Sequence, residues 1–225
     1  DMYDPATDKD IYAHYSADKP KNKAKNKAMM QKEFGLEVKP DVPVVAMVSR
    51  LVAHKGFDLV KAVLEEIICT SDAQFIILGT GEWQFESFFK DIASRYPGRV
   101  SITLAFRPDL ASKIYAGSDI FLMPSKSEPC GLSQMIALRY GSIPVVRETG
   151  GLRDTVFDSG LGEGNGFTFP TYNAHDMMHA LRRAFEGYAD HDGWQILVKR
   201  AMSCDCSWAK SANEYIKMYK ELIKG

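Results

Sequence analysis

The sequence predicts an α/β fold built on a doubly wound parallel sheet, and two patterns carry that reading. Its apolar runs are short and mostly continuous rather than alternating, as strands buried on both faces must be. Between them lie stretches with helical spacing, and strands that alternate with helices make βα units. Right-handed crossovers then wind the helices over both faces of one sheet. A chain of 225 residues can bury a core of this kind without a disulfide or metal staple.

In chain order, residues 1–40 read as an arm and a lysine-rich helix, 41–190 as the core and 191–225 as C-terminal helices. Residues 1–18 are polar and aperiodic, which reads as a linker or arm. In the helix over 19–34, Lys21, Lys23, Lys25 and Lys27 alternate with asparagine and alanine. No aromatic residue interleaves to stack bases, so a solvated face is expected there rather than a nucleic-acid contact. The strands are read at Val42–Ser49, Ala73–Leu78, Val100–Phe106, Ile120–Met123, Ile143–Val146 and Phe167–Phe169. The helices between and after them are read at 56–69, 83–95, 109–117, 132–141 and 174–188. At the end, Trp208–Ile223 sets Trp208, Ala212, Tyr215, Tyr219 and Leu222 on one face, a stripe that needs something to pack on.

Composition excludes several classes of partner. The formal net charge of −1 gives no global pull towards nucleic acid or an anionic membrane. No apolar run approaches the roughly 20 residues that span a bilayer, and no signal-peptide pattern is seen. Cys69, Cys130, Cys204 and Cys206 form no C-x-x-C pair, so a reducing, cytoplasmic compartment is expected.

Ligands of doubly wound sheets bind beyond the carboxyl ends of the strands, so the residues after each apolar run matter most. After the first run stands Ser49-Arg50-Leu51-Val52-Ala53-His54-Lys55-Gly56. It puts two permanent cations beside a helix start, either as phosphate ligands or as solvated surface charges. After the second, Gly79-Thr80-Gly81-Glu82 imitates a dinucleotide fingerprint but lacks the third glycine, and a tight turn is expected instead. After the fourth, Pro124-Ser125-Lys126-Ser127-Glu128-Pro129-Cys130-Gly131-Leu132-Ser133 carries a carboxylate into a helix start whose first N–H groups suit a diphosphate. Glu128 is read either as an acceptor for sugar hydroxyls or as a charge partner of that helix end. Cys130 invites a nucleophile, yet no histidine stands near it in sequence, so packing is expected. After the fifth run, the glycine pair of Glu148-Thr149-Gly150-Gly151 gives either close ligand approach or a turn.

His175 and His179 have the spacing of zinc ligands, but no third ligand completes a site, and both are expected on an exposed helix face. Asp8-Lys9-Asp10 and Asp190-His191-Asp192 imitate a metal-binding D-x-D and are read as surface charge, and Cys204-x-Cys206 is too sparse for a metal cage. No metal and no cofactor are expected.

Taken together, these stretches resemble the bacterial glycogen synthase and plant starch synthase family. The matching run is nearly continuous from Ser49 to Val156 and includes Ile114-Tyr115-Ala116-Gly117-Ser118-Asp119, Glu128-Pro129-Cys130-Gly131-Leu132 and Thr149-Gly150-Gly151-Leu152. Tyr3-Asp4-Pro5-Ala6-Thr7-Asp8 and Trp208-Ala209-Lys210-Ser211-Ala212 also fit. The resemblance implies the C-terminal, donor-binding, Rossmann-like domain of a GT-B glycosyltransferase. It implies extension of an α-1,4-glucan from ADP-glucose, with retention, in the cytoplasm (or in the plastid stroma of a plant). Arg50 and Lys55 would hold the distal phosphate, Glu128 would contact the glucosyl unit, and these three would carry catalysis. The N–H groups of Leu132 and Ser133 would hold phosphate too, with Gly131, Thr149 and Gly150 lining the donor, and Phe106 would lie against the adenine where the family usually has tyrosine.

Two departures qualify the match. His54 replaces the family's glutamine before Lys-Gly. Ile136 stands where related synthases carry a second glutamate, which favours the bacterial branch and ADP-glucose over UDP-glucose. The acceptor-binding residues would come from an N-terminal domain of the same polypeptide, onto which the Trp208–Leu222 stripe would cross back. The chain alone would therefore bind nucleotide and transfer glucose poorly. A GT-B transferase with another donor, such as UDP-glucose, or a non-catalytic nucleotide- or glucan-binding module, are the alternatives, and the broken fingerprint disfavours an NAD-linked oxidoreductase.

Overall fold

A computed structural model describes residues 3–224; Asp1 and Met2, which open the arm, and Gly225 lie outside the described residues. The core is one parallel sheet of strands β1 (Val44–Val48), β2 (Gln74–Leu78), β3 (Val100–Thr103), β4 (Ile120–Met123), β5 (Ile143–Arg147) and β6 (Phe167–Phe169). They lie side by side in the order β3-β2-β1-β4-β5-β6. The order reverses between β1 and β4, and a crevice opens at such a switch point beyond the strand ends.

The chain is helical at α1 (Asn22–Glu33), α2 (Phe57–Thr70), α3 (Trp83–Arg95), α4 (Pro108–Gly117), α5 (Ser133–Arg139), α6 (Gly150–Thr155), α7 (Ala174–Ala189), α8 (His191–Met202) and α9 (Trp208–Lys224). Local chemistry sets several starts. Proline opens α4, and the Asn173 side chain accepts the His175 and Asp176 N–H groups to cap α7. Phe57, Val60, Val63, Leu64, Ile67 and Ile68 form the buried stripe of α2, and β2 and β4 are buried throughout. Among the described residues, no helix is long and apolar enough to cross a membrane.

The strands and helices fall where the sequence puts them, though several ends are shorter: β1 loses residues at both ends, α1 begins only at Asn22, and β3 and α5 stop early. β3 stops at Thr103 because its only neighbour, β2, stops at Leu78, and Gly79 then turns away after donating to the Thr103 carbonyl (3.1 Å). α5 stops at Arg139, and Gly141 beyond it adopts φ +66°. The short α6 has no counterpart in the sequence reading.

The amino-terminal part departs most from expectation. The arm is not a solvated tether: Ile11 and Tyr15 are buried in the core, and the Tyr15 hydroxyl donates to the Tyr140 carbonyl (2.7 Å). Asp8, read as surface charge, is buried and accepts a hydrogen bond from the Tyr140 hydroxyl (2.5 Å). Nor is the lysine-rich helix solvated all round. Lys21 and Lys25 are exposed, but Lys23 reaches inward to the carbonyls of Ala116, Ser118 and Tyr140 at 2.9–3.1 Å, beyond the carboxyl ends of α4 and α5. Cations are favoured there because the last carbonyls of a helix lack partners.

Lys27, 5% exposed, forms an ion pair with Asp119 (2.8 Å) and donates to the Pro40 and Val42 carbonyls. The same Asp119 oxygen accepts the Val44 N–H (2.9 Å), so the pair ties α1 to the starts of β1 and β4. The lysines alternate in sequence, but the helical period turns two of them inward. Asp190 is likewise structural, capping α8 through the Gly193 N–H. At the other end, every apolar residue of the α9 stripe is exposed.

Removing one partner of a buried, hydrogen-bonded pair leaves an uncompensated charge, at a cost of about 3–5 kcal/mol. Lys27→Met is therefore expected to lower unfolding stability by about that amount in urea denaturation. Lys25→Met, on the exposed face, should stay within about 0.5 kcal/mol of the parent.

Candidate functional site

The expected site residues lie in loops at the carboxyl edge of the sheet. The chain leaves β1 through Ser49 and Arg50 and makes one 3-10 turn over Ala53–Lys55. It then enters α2 through Gly56, whose φ of +82° suits glycine. Glycine is needed there for a second reason. A Cβ on Gly56 would sit 2.1 Å from the carbonyl oxygen of Pro124, the first residue after β4. The Lys126 N–H donates to the His54 carbonyl (2.9 Å), so the two loops are also stitched by a backbone hydrogen bond.

This contact brings two candidate side chains together. Lys55 Nζ lies 2.5 Å from Glu128 Oε2, and the Ser125 hydroxyl donates to the same oxygen (3.3 Å). Glu128 is only 8% exposed, so its charge is compensated inside the cleft rather than by bulk water. Glu128 Oε1 accepts no hydrogen bond from the described residues, and Lys55 is left with donors to spare. Arg50 is exposed and makes no side-chain hydrogen bond or ion pair among the described residues.

The loop from Glu128 to Leu132 rests on a second backbone contact. Cβ atoms on Gly150 and Gly151 would lie 2.2 Å from the Glu128 carbonyl oxygen and 1.9 Å from that of Cys130. The Gly151 N–H donates to the Glu128 carbonyl (3.1 Å). The glycine pair thus lets α6 press directly against the candidate loop. Gly131, with φ +75°, precedes Leu132 and Ser133, whose N–H groups find no acceptor among the described residues. Below them the Gln134 amide donates to the carbonyls of Cys130 and Gly131 and to the Thr155 hydroxyl.

Other candidates stand apart. Phe106 lies in the loop after β3 and is 91% exposed, so its ring face is free. Cys130 is exposed, which corrects the expectation that it packs: its carbonyl is held by Gln134, and its thiol donates to the Gly131 carbonyl (3.7 Å). His175 and His179 are exposed on α7, and no cluster of three metal-ligating side chains occurs among the described residues. The Gly79-Thr80-Gly81 stretch is a tight strand-to-helix turn, its glycines passing the Ser49 and Leu51 carbonyls too closely for a Cβ.

Three residues at this edge escaped the sequence reading. Trp83 opens α3 and is 80% exposed. Arg147 ends β5 and donates to the carbonyls of Ser125 (3.0 Å) and Lys126 (2.6 Å). Tyr172, before α7, packs on Arg147 and donates its hydroxyl to Asp58. Burial and the Asp58 carboxylate hold the Tyr172 phenol well above its ordinary pKa, so it stays a neutral donor. Arg147 carries the same signal as Arg50, a cation ending an apolar run, whereas Tyr172 has no local signature.

The family described as glycosyl transferases group 1 matches residues 30–195. A glycogen synthase from Bacillus cereus is 53% identical over 225 residues, spanning 99% of this chain and 47% of that protein. The chain thus spans about half the length of the curated relatives it matches. The catalytic domain of starch synthase IV from Arabidopsis thaliana, solved bound to ADP and acarbose, superposes with a TM-score of 0.90 at 36% identity. That likeness covers 100% of this chain and 47% of the other. Sucrose-phosphate synthase from Thermosynechococcus elongatus has a TM-score of 0.64 at 20% identity over 88% of this chain and 49% of its own, a likeness of fold alone.

The close loop contact makes a steric prediction. Gly151 has no positive φ, so the cost of Gly151→Ala is the collision with the Cys130 carbonyl. We expect a loss of about 3 kcal/mol in chemical denaturation, as for overpacking of a tight core. Gly35→Ala, at φ +70° with nothing within 4 Å of its Cβ, should cost only about 1–2 kcal/mol.

Proposed function

The chain belongs to the glycosyl transferases group 1, and from that membership we propose that it is the donor-binding half of a retaining α-1,4-glucan glucosyltransferase that uses ADP-glucose. The observation that carries the reading is the Lys55–Glu128 pair at 2.5 Å, with Arg50 and the open N–H groups of Leu132 and Ser133 at the same sheet edge. A diphosphate and a sugar ask for that combination of fixed cations, backbone donors and one carboxylate. The names of the glycogen and starch synthases it resembles support the substrate class, and the ADP bound to the starch synthase supports the nucleotide.

The reaction breaks the bond between the anomeric carbon and the diphosphate, so negative charge grows on the distal phosphate. Lys55 and Arg50 meet that charge, together with the Leu132 and Ser133 N–H groups. As the phosphate draws Lys55, the hold on Glu128 loosens, and Glu128 turns its oxygens to the hydroxyls of the glucosyl unit. Phe106 stacks on the adenine, and Gly131, Thr149 and Gly150 line the donor. Retention follows a front-face route in which the acceptor hydroxyl enters on the side the diphosphate leaves, with no covalent intermediate on Glu128.

No metal is needed, because protein cations supply the compensating charge. The α-1,4-glucan acceptor binds mostly through an N-terminal GT-B domain of the same polypeptide, which supplies the remaining site residues, in a cytoplasmic enzyme. Ile136, standing where related synthases carry a second glutamate, supports the bacterial branch and with it ADP-glucose over UDP-glucose.

In the full-length protein, Lys55→Ala and Arg50→Ala are each expected to cut glucose transfer about a hundredfold to a thousandfold, the usual effect of losing one preorganised donor. Full activity in either variant contradicts the assignment. Calorimetry with the wild-type protein should give tighter binding of ADP than of UDP; equal or reversed affinity contradicts the donor but leaves the transferase class standing.

A further inference from the structure

We propose that Arg147 and Tyr172 form a strut that positions Lys55 against Glu128, so that these two residues set turnover without touching the donor. The inference rests on the donor-site reading above and concerns how that site is held.

The candidate pair sits on two loops: Lys55 ends a 3-10 turn held by its own backbone hydrogen bonds, whereas the Ser125 and Lys126 carbonyls before Glu128 are held by a side chain from another strand. The loop bearing Glu128 leaves β4 at Pro124, and its carbonyls at Ser125 and Lys126 point to the guanidinium of Arg147. Two hydrogen bonds from one rigid planar group set both the position and the tilt of that peptide pair. The guanidinium carbon of Arg147 lies 5.7 Å from the centre of the Tyr172 ring, and Lys126 Nζ lies 5.6 Å from it. Both cations are within range of the ring's attraction. The Tyr172 hydroxyl then donates to Asp58, in the first turn of α2, three residues beyond Lys55. The Lys126 N–H closes the circuit on the His54 carbonyl, next to Lys55.

The ring of contacts therefore runs from α2 through Tyr172 and Arg147 to the Glu128 loop and back to the Lys55 loop. β5 supplies Arg147 and the segment before α7 supplies Tyr172, both rooted in the sheet. Without the strut, the Glu128 loop keeps its glycine contact with α6, the Gly56–Pro124 contact and the Lys126–His54 hydrogen bond, but loses the brace that runs from Arg147 through Tyr172 to Asp58. A shift of about 1 Å at a reacting centre lowers rate by as much as a hundredfold, while binding through the nucleotide is retained.

The test uses steady-state kinetics of the full-length protein with ADP-glucose and a glucan, and ADP calorimetry on the same samples. Arg147→Met keeps the bulk and removes the two hydrogen bonds. It is expected to lower kcat on the order of tenfold to a hundredfold, with KM for ADP-glucose and Kd for ADP moving less than about threefold. Tyr172→Phe keeps the ring over Arg147 and removes the hydroxyl's hydrogen bonds to Asp58 and to the Ala53 carbonyl (3.4 Å), both on the Lys55 side. It should fold normally and lower kcat by a smaller factor in the same pattern, and it decides the matter if Arg147→Met does not fold. An unchanged kcat per folded molecule in Tyr172→Phe, or a rise in KM at constant kcat in either variant, overturns the proposal. A wild-type protein that fails to bind ADP overturns the donor-site reading instead.

Discussion

The arrangement of the carboxyl edge depends on one constraint: loops that follow different strands meet there backbone to backbone. At Gly56, Gly150 and Gly151, a carbonyl of the neighbouring loop occupies the space a Cβ would fill. A parallel sheet sets adjacent strands about 4.8 Å apart, and only such bare contacts let their loops stay that close beyond the strand ends. Lys55 follows β1 and Glu128 follows β4, and these strands are neighbours at the switch point. Their ion pair is the consequence of that closeness.

The pair also shows how charge is distributed over the molecule. At the amino edge, Lys27 and Asp119 are both buried and saturated by carbonyls, an N–H and a tyrosine hydroxyl. Such a pair holds α1 to the sheet and has nothing left to offer a ligand. At the carboxyl edge, Lys55 and Glu128 keep unused valences, and Arg50 keeps all of its own. Part of the Ile114–Asp119 stretch that carries the family resemblance belongs to the first class. Its Asp119 receives Lys27, and its Ser118 hydroxyl pairs with that of Ser142 (2.7 Å).

The fold was legible because buried parallel strands write themselves as continuous apolar runs, and Ile120–Met123 or Phe167–Phe169 can be read directly. The candidate loops were legible for the same reason, since each follows such a run. What sequence could not reveal were roles fixed by distant partners. Tyr15 and Asp8 look like arm residues until Tyr140 arrives from over a hundred positions away to bond both. Lys27 looks like Lys25 until the helix is turned towards Asp119. Tyr172 acquires its partners from β5, α2 and the Glu128 loop, none of them adjacent in sequence. The glycine pair after β5 left ligand approach and turn open, and the contact is with the protein's own backbone.

The central claim is that the crevice between the loops after β1 and β4 receives the diphosphate of a nucleotide sugar. A crystal structure of the protein with ADP tests it most directly. The account predicts the distal phosphate within about 3 Å of Lys55 Nζ and the Arg50 guanidinium, with Leu132 and Ser133 N–H groups on the same anion and Phe106 over the adenine. A diphosphate bound elsewhere, or an ADP complex in which neither Lys55 nor Arg50 touches phosphate, would contradict it.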